Sequence, residues 1–487
     1  MGTIPARRIR ILCTAPAREK ARYVLYWMSA ARRTTWNFGL QRAVERAIEF
    51  KKPLVILETL ACGRRWDSER FHRFVLDGMA DNAKRLERKR VFYHPYIANS
   101  LKVERDVAMA FTSEACLVVA DDSPIHEVPN ALRVISRRAD RLFEVVDSNG
   151  LFPLRAADRV FPTAYSFRRF LQQELPGHLA DRPLKDPLAR RRLPRVAGLP
   201  RSLVQKFPAI SEPLLVGDDG LTGLSIDHRV SPVKMRGGSS AAGKCLRDFL
   251  EEKLERYEAH RNEPEEDVTS GLSPYLHYGH ISAHQIFSEI VNREEWSPDD
   301  LSGKATGSRK GWWGLRTDAE AFLDQLVTWR ELGYNMAWQR EDYDTYESLP
   351  DWAQETLGQH GADYRPHTYS FDEFDGANTH DRLWNAAQTQ LKSEGRLHNY
   401  LRMLWGKKIL EWSPSPEEAA EIMIELNNKY ALDGQDPNSY SGIFWILGRY
   451  DRPWGPERSI FGKIRYMSSD STARKVRVKQ YIQRYTP

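Results

Sequence analysis

Tryptophan is concentrated in one stretch of the C-terminal half, which contains Trp384, Trp405, Trp412 and Trp445. The first three lie on two predicted helices, and a third predicted helix leads into a polar, Asp-rich loop that ends at Trp445. Trp405 and Trp412 share one helix face and lie about 10 Å apart along its axis. Aromatic residues beside an acidic loop indicate a binding site, although aromatics at helical spacing are more often core residues.

A second candidate site is the segment 269–274, which reads Thr-Ser-Gly-Leu-Ser-Pro. Its small hydroxyl residues precede a proline at a predicted helix start. Amides and hydroxyls at a helix N-terminus can bind phosphate, while an ordinary N-cap is the simpler alternative.

Two basic stretches could contact a polyanion. Residues 185–201 contain six basic residues and one acid, and residues 461–487 contain seven basic residues and one acid. A solvated linker explains the first stretch equally well. Aromatic residues interleave the second, which includes Lys463 and Arg465, and this pattern favours nucleic-acid binding.

The composition is that of a globular protein with more than one domain. The chain has 487 residues, of which 41% are hydrophobic and 28% charged, with a net charge of +6. We expect two domains, no membrane span, no signal peptide and a cytoplasmic location. The four cysteines are far apart and form no CxxC pair, so neither a disulfide framework nor a metal site is indicated.

Five apolar runs alternate with helical patterns over the first 150 residues, and they are Tyr23–Met28, Leu54–Leu60, Val91–Tyr93, Cys116–Ala120 and Leu142–Val146. Helices are predicted between them, for example over 37–50 and 68–88. Uniformly apolar runs separated by helices predict a parallel, doubly wound α/β sheet covered on both faces. No GxGxxG follows the first run, so the usual dinucleotide fingerprint is absent.

The later sequence changes character twice. A proline- and arginine-rich region reads as an interdomain linker, and from about residue 246 the pattern is helical almost to the end. We therefore predict an α/β domain over 1–182, a linker over 183–234 and an all-α domain over 235–487.

Several long segments of this sequence resemble the photolyase/cryptochrome family, and in particular class II cyclobutane pyrimidine dimer photolyases. They are THDRLWNAAQ (379–388), LRMLWGKKILEW (401–412), LNNKYALDGQDPN (426–438) and FGKIRYM (461–467). VLYWMSAARRTTWN and DSNGLFPL, in the first part of the chain, are also similar to that class. The resemblance is dense from about residue 235 to 470 and weaker before it.

The resemblance implies an α/β antenna domain and a helical domain that binds FAD. The implied reaction is light-driven repair of cyclobutane dimers in UV-damaged double-stranded DNA, in which photoexcited reduced FAD donates an electron to a flipped-out lesion. It further implies a monomer and a possible antenna chromophore of the 8-hydroxy-5-deazaflavin type, for which the sequence offers no local motif.

The resemblance also assigns the flavin site. Asn427 would face flavin N5, with the Arg402–Asp433 ion pair beside the ring, where an amide and such a pair can stabilise an anionic reduced flavin. A polar helix-to-loop turn is the alternative reading of this segment. The remaining residues implied to bind FAD are Tyr257, Thr269, Ser270, Leu272, Ser273, Asp436 and Asn438.

Two further sets complete the implied machinery. Trp384, Trp405 and Trp412 match the electron-transfer chain that reduces FAD after light absorption. The lesion pocket would be formed by Trp329, Met403 and Trp445, with Lys463 and Arg465 as candidates for DNA contact.

Two positions depart from the family pattern. Gln325 stands where the family has a glutamate that hydrogen-bonds the dimer bases, and the family's His-Asp pair reads Tyr450-Asp451 at a shifted spacing. A glutamine can donate to a carbonyl but cannot supply a proton or stabilise positive charge, and Asp324 would point about 100° away on a regular helix. A photoreceptor of the cryptochrome kind is therefore the alternative function, with a flavin photoenzyme acting on a non-DNA substrate as a third.

Overall fold

The computed structural model describes residues 4–125, 127–217 and 220–486, with the backbone alone described at residue 127. The chain divides into two compact units, each assembled from several segments. The α/β unit comprises Met1–Ala157, Leu175–Arg247 and Gly271–Arg293. The helical unit comprises Asp158–Glu174, Asp248–Ser270 and Glu294–Pro487. The domain boundaries predicted at residues 182 and 234 remain a prediction.

Within the described residues, six strands form one sheet in the α/β unit, and they are β1 Ile9–Cys13, β2 Tyr23–Met28, β3 Leu54–Ala61, β4 Phe92–Ala98, β5 Ala115–Asp122 and β6 Phe143–Asp147. Their order across the sheet is β1-β6-β5-β2-β3-β4, and every neighbouring pair except β1–β6 is parallel. The predicted α/β fold class and all five predicted strands are confirmed.

One edge of the sheet carries a strand that the sequence did not predict and that departs from the parallel arrangement. Strand β1 pairs with β6 in the antiparallel direction. Its residues are only partly buried, and Arg10 within it bonds Asp122 at 2.7 Å. The sequence IRILC carries one charged residue and has no fully buried position, as an edge strand can, and it is too short to stand out beside the uniformly apolar runs.

Helices and helical turns make up the rest of the regular structure. In chain order the α-helices are α1 Phe38–Glu49, α2 Glu69–Leu86, α3 Leu101–Glu114, α4 Glu127–Arg138, α5 Ala164–Glu174, α6 Arg201–Lys206, α7 Glu212–Val216, α8 Ser239–Asp248, α9 Tyr257–His260, α10 Ser273–His277, α11 Ala283–Arg293, α12 Thr317–Leu323, α13 Arg330–Gln339, α14 Asp351–Gln359, α15 Phe371–Asp375, α16 Arg382–Glu394, α17 Asn399–Trp412, α18 Pro416–Tyr430, α19 Pro437–Ile446, α20 Ser469–Lys475 and α21 Lys479–Tyr485. Two π-helical segments, Phe249–Lys253 and Asp324–Trp329, lengthen the turns next to α8 and α12.

Both faces of the sheet are buried, which explains why its strands are apolar at every position. On β2, Leu25 and Trp27 join the core beneath α3 and α4, while Val24, Tyr26 and Met28 join the core beneath α1. Successive side chains of a strand point to opposite faces, so a strand covered on both sides must be apolar throughout.

Apolar residues of the proline-rich region also enter these cores. Leu188 and Leu193 pack with the α1 side, and Leu203 and Phe207 pack with the α3 side. Part of the segment predicted to be a linker is therefore packed onto the α/β unit.

The carboxylate of Asp121, at the end of β5, hydrogen-bonds the backbone that follows β2. Its Oδ2 atom accepts the backbone N–H groups of Ser29, Ala30 and Ala31 at 3.0, 2.8 and 2.8 Å, and its Oδ1 atom accepts the hydroxyl of Tyr26 at 2.6 Å. These amides follow β2 beside the end of β5, at the switch point where doubly wound sheets bind ligands. The protein's own carboxylate thus occupies amides that a phosphate would use elsewhere, in agreement with the missing glycine fingerprint.

In the helical unit, two close helix crossings position the tryptophan-rich stretch. A Cβ atom on Gly333 of α13 would lie 2.8 Å from the carbonyl oxygen of Pro437 at the start of α19. A Cβ atom on Gly406 of α17 would lie 2.2 Å from Ile446 at the end of α19. Glycine at both points lets α13 and α17 approach α19 closely.

Among the described residues, no helix has both the length and the apolar composition that a membrane span needs.

We expect Asp121→Asn to loosen the end of β2, because an amide group loses the charge-assisted acceptor capacity that binds three N–H groups. The free energy of unfolding should fall by about 2–3 kcal/mol, and the amides of Ser29, Ala30 and Ala31 should exchange with solvent faster. Hydrogen exchange and urea titration measure both effects. Asp106→Asn, on the exposed side of α3, is the matched control. Unchanged exchange at residues 29–31 would contradict this account.

Candidate active site

Arg402 joins three elements of the helical unit. From α17 its guanidinium donates to Oδ1 of Asn427 on α18 at 2.9 Å and to Asp433, in the following loop, at 3.3 Å. The side chains of Arg402 and Asp433 are 12% and 21% exposed, whereas Asn427 is 2% exposed. The structure therefore brings together the three residues predicted to surround the flavin ring, with the ion pair on the more open side.

The amide of Asn427 is held in one orientation by its neighbours. Its Nδ2 atom donates to Oδ1 of Asn428 at 3.1 Å and to the hydroxyl of Ser439 at 2.8 Å. Asn428 is anchored in turn by Tyr440 at 2.9 Å. Both amide hydrogens are thus engaged, and the remaining capacity of Asn427 is a lone pair on Oδ1, which can accept a hydrogen bond.

Asp436 starts α19. Its side chain caps the helix by accepting the N–H of Asn438 at 2.8 Å, and it also accepts the hydroxyl of Tyr334 at 3.0 Å. Burial raises the pKa of Tyr334, so this phenol stays a donor. With Pro437 at the first helical position, this cap fixes the start of α19, which continues to Ile446. Trp445, expected at the end of a polar loop, instead lies in the last turn of this helix.

The three tryptophans of the predicted electron-transfer chain are buried and adjoin one another. Trp384, on α16, donates its indole N–H to the backbone carbonyl of Trp405 at 2.9 Å. Its ring centroid lies 6.0 Å from that of Trp412 in an edge-to-face arrangement. The indole N–H of Trp405 donates to Oε1 of Gln388 at 2.9 Å. Trp384 therefore contacts both of the tryptophans on α17.

Trp329 and Trp445 form a ring pair with centroids 5.7 Å apart and planes tilted by 58°. Both rings are partly exposed, as are Met403 and Gln325. Trp329 ends the π-helical segment that contains Gln325, and Met403 follows Arg402 on α17. The two aromatic walls predicted for the lesion pocket thus lie side by side.

Arg465 lies against the Trp445 ring of this pair and against Trp454, and Asp451 holds it there. Its guanidinium carbon is 5.6 Å from the ring centroid of Trp445 and 4.2 Å from that of Trp454, and it bonds Asp451 at 3.2 Å. Trp454 also donates its indole N–H to Asp451 at 3.2 Å. Lys463, the other basic residue predicted to contact DNA, pairs instead with Glu457 at 3.2 Å on the surface.

A buried lysine supports the end of α19. The ammonium of Lys407, on α17, donates to the backbone carbonyl of Ile446, the residue after Trp445. Burial lowers the pKa of Lys407 to about 7, against the opposing effect of Asp451. This contact ties α17 to the turn that presents Trp445.

Asp324, one residue before Gln325, is committed to a structural ion pair. Its carboxylate bonds Nε of Arg168 at 2.7 Å and the other arm of the same guanidinium at 3.2 Å. Both side chains are at most 9% exposed. The π-helical geometry changes the regular angular spacing, but the buried partner leads to the same conclusion, that Asp324 does not take the place of Gln325.

The remaining predicted flavin ligands are distributed over both units. Tyr257 packs against Phe249 and Phe322 in the helical unit, with centroids 5.8 and 5.4 Å away. Thr269 and Ser270 end a segment of that unit, whereas Leu272 and Ser273 belong to the α/β unit. Asn438 is exposed near the start of α19. The flavin role of all six residues remains a prediction.

Several side chains of this site carried no distinct signal in the sequence. Ser439 hydrogen-bonds Asn427, Gln388 hydrogen-bonds Trp405, and the ring of Trp454 packs against the guanidinium of Arg465. Gln388 is the last residue of the family-like segment 379–388, and Ser439 directly follows the segment 426–438. Their position in or beside these segments could have identified them. Trp454 lies in an irregular segment, where spacing predicts no contact.

Comparison with known proteins identifies a solved structure that has a similar fold. The fold resembles the crystal structure of a bacterial class III photolyase from Agrobacterium tumefaciens, with a TM-score of 0.66 and 16% identity over 96% of this chain and 86% of that one. No family model matches the chain.

Curated relatives match along nearly the whole length. Proteins named deoxyribodipyrimidine photo-lyase are 33% identical in Methanothermobacter thermautotrophicus, over 99% of this chain and 98% of the relative. The corresponding proteins of Potorous tridactylus and Arabidopsis thaliana are 32% and 30% identical, over 99% and 98% of this chain and 85% and 92% of the relatives. The chain belongs to the deoxyribodipyrimidine photolyase family.

We expect Asp324→Ala to destabilise the helical unit by about 3–5 kcal/mol, because it leaves the buried charge of Arg168 without its carboxylate. Chemical denaturation monitored by tryptophan fluorescence measures the loss. The double variant Arg168→Leu/Asp324→Leu removes both charges and should recover most of that stability. A single variant as stable as the parent would refute a structural role for the pair.

Proposed function

We propose that this protein repairs cyclobutane pyrimidine dimers in UV-damaged DNA by a light-driven electron transfer from reduced FAD, as an enzyme of the class II type. The observation that carries the proposal is the Trp329–Trp445 ring pair, 5.7 Å between centroids, with Arg465 over the ring of Trp445. Two partly exposed aromatic rings beside a guanidinium suit extruded bases next to phosphates. The full-length similarity to proteins named deoxyribodipyrimidine photo-lyase supports the same reaction.

The predicted flavin cluster and the ring pair are linked by two helices. On α17, Arg402 and Met403 are consecutive, the first in the polar cluster and the second assigned to the pocket. On α19, Ser439 bonds Asn427 near one end and Trp445 stands near the other. An electron donor held by the cluster would therefore adjoin a lesion held by the rings.

The chemistry of the cluster fits FAD. When bound and photoexcited, reduced FAD supplies the electron that splits the cyclobutane ring and takes it back afterwards. Asn427 retains only acceptor capacity, which suits the N5–H group of a reduced flavin, and the open side of the Arg402–Asp433 pair suits a polar ring edge. Trp384, Trp405 and Trp412 would deliver the electrons that restore the reduced state.

The lesion pocket supplies orientation and weak polar contacts. Trp329 and Trp445 would stack against the dimer, and Gln325 would donate to a base carbonyl without providing a charge or a proton. The ion pair with Asp451 keeps Arg465 against the rings of Trp445 and Trp454. The guanidinium of Arg465 is therefore already placed to contact a phosphate or to fill the gap left by flipped bases.

Gln325 favours one alternative, a photoreceptor of the cryptochrome kind in which FAD is photoreduced without repair. The retained ring pair and Arg465 favour repair. A cytoplasmic location, a monomeric state and an antenna chromophore of the 8-hydroxy-5-deazaflavin type remain predictions.

The reduced holoprotein, illuminated with dimer-containing DNA, should restore thymine absorbance. We expect Gln325→Glu to raise the repair yield by about tenfold, equivalent to about 1.4 kcal/mol, because a carboxylate binds the dimer's N–H groups more strongly. Gln173→Glu, exposed on α5, is the matched control. Normal FAD photoreduction without recovery of thymine absorbance, in both the parent and Gln325→Glu, would overturn the repair proposal and favour the photoreceptor alternative.

Trp405→Phe should slow light-driven reduction of oxidised FAD by at least about tenfold, because phenylalanine is much harder to oxidise than tryptophan. Repair by chemically pre-reduced protein should change far less, which separates electron supply from dimer splitting. Flash absorption spectroscopy measures the first and thymine recovery the second. Trp352→Phe, a partly buried residue of α14, controls for the general effect of losing an indole. Equal photoreduction rates in parent and variant would disprove the assignment of Trp405.

A further inference from the structure

The predicted tryptophan chain does not end at Trp412, because two further aromatic groups touch it. The ring of Tyr369 lies 5.6 Å from that of Trp412 at 76°, and the imidazole of His380 lies 5.0 Å away. The backbone N–H of Tyr369 also donates to the carbonyl of Trp412 at 3.2 Å. Tyr369 is half-buried and His380 is exposed, so these contacts lead from the buried tryptophans to the surface.

Tyr369 and His380 are bonded to each other. The phenol contacts Nδ1 of His380, and the backbone N–H of His380 donates back to the phenol oxygen at 3.1 Å. In the tautomer that leaves Nδ1 without a hydrogen, the phenol donates its proton to the imidazole. Each residue directly precedes a helix N-cap, Ser370 for α15 and Asp381 for α16, which fixes the backbone on both sides.

The inner tryptophans have no comparable proton acceptor on their indole nitrogens. The N–H of Trp384 faces the backbone carbonyl of Trp405, and the N–H of Trp405 faces the amide oxygen of Gln388. Carbonyl and amide oxygens do not take up protons near neutral pH. An oxidised tryptophan at these two positions would keep its proton, so no proton loss would oppose the return of the positive charge.

Charge at the end of the chain favours outward transfer. The ammonium of Lys408 lies 5.3 Å from the ring centroid of Trp412, although its pairing with Glu411 at 2.7 Å moderates its field. A cation beside the ring disfavours a positive charge on Trp412. Proton-coupled oxidation of the phenol moves the positive charge from Trp412 to the imidazole of His380, where Lys408 also disfavours it but Asp381 and Glu411 stabilise it.

We propose that Tyr369 and His380 form a proton-coupled terminal donor: oxidised Trp412 takes an electron from Tyr369 while the phenolic proton moves to Nδ1 of His380. The products are neutral Trp412, a neutral tyrosyl radical and a protonated imidazole, so charge and atoms balance. A small-molecule thiol or another one-electron reductant in solution returns an electron, and the proton returns from His380. The inference rests on the proposed function, since light-driven reduction of the flavin creates the oxidised tryptophan.

The surroundings of His380 keep its imidazole ready to accept a proton. Partial desolvation by the packed neighbouring rings lowers the pKa of His380, and His367, whose ring is 4.0 Å away, lowers it further. Asp381 and Glu411 oppose this effect, while Lys408 adds to it. The pKa lies below the usual value of about 6.5, so His380 is neutral at and above neutral pH. The acceptor is lost as the pH falls through that pKa.

The test is flash photolysis of the FAD-loaded protein with detection of radicals by absorption and electron paramagnetic resonance. We expect a tyrosyl radical in the parent, its loss in Tyr369→Phe, and a charge-separated state that decays at least about tenfold faster in that variant. His380→Gln keeps a hydrogen-bond acceptor but no base, and it should also lose the radical. Tyr364→Phe, five positions earlier and 83% exposed, should behave like the parent.

Two readouts show a specific role for the pair. In the parent, the tyrosyl yield should fall as the pH drops through the pKa of His380, following the imidazole titration seen by NMR in the dark. In Tyr369→Phe that NMR-measured pKa should rise, because the phenol no longer donates to the neutral imidazole.

The outcomes separate this inference from the proposed function. The inference is overturned, and the proposed function left intact, if the parent protein photoreduces FAD without forming a tyrosyl radical and its charge-separated state decays at the same rate as that of Tyr369→Phe. A parent that shows no light-driven FAD reduction overturns the proposed function first.

Discussion

The bonds of Arg402 to Asn427 and Asp433 are the contact on which the rest of the helical unit's site depends. They join α17, α18 and the loop before α19 at one point. Arg402 shares α17 with Trp405, Trp412, Met403 and Lys407, so its position sets where each of these residues lies. The pair is only partly exposed, which makes the interaction stronger than an ion pair on an open surface.

One helix thus serves two purposes on different faces. The buried face of α17 carries the tryptophans toward α16, and the more open face presents Arg402 and Met403. A Cβ atom would meet backbone atoms of α19 at Gly333 and the side chain of Ile446 at Gly406, so glycine at these points brings α19 beside α13 and α17. The ring pair of Trp329 and Trp445 exists because of the α13–α19 approach.

The proton environment divides the aromatic chain into two parts. Trp384 and Trp405 donate to oxygens that cannot be protonated, while the outer end meets an imidazole through Tyr369. A carboxylate one residue away from the family's glutamate position is occupied by Arg168. In the pocket predicted to hold the lesion, Gln325 would therefore offer a neutral amide, because the neighbouring carboxylate of Asp324 is committed to Arg168.

Much of the fold followed from the sequence alone. The five predicted strands and the helical character of the second half were correct, because a buried strand or helix face repeats its apolar pattern within one continuous segment. Strand β1 was missed, since an edge strand with Arg10 carries a weak version of that pattern. The assignment of Arg402, Asn427 and Asp433 to the predicted flavin site came from long family-like segments rather than from residue spacing.

Only the tertiary structure decided which side chains meet. The contact of Trp384 with both Trp405 and Trp412, the pairing of Asp324 with Arg168 and the bond between Tyr369 and His380 each join separate segments of the chain. Spacing predicts neighbours within a helix or strand, where the backbone repeats. Across elements, the contacts depend on how helices cross and where turns end, and that information becomes visible only when the chain is packed.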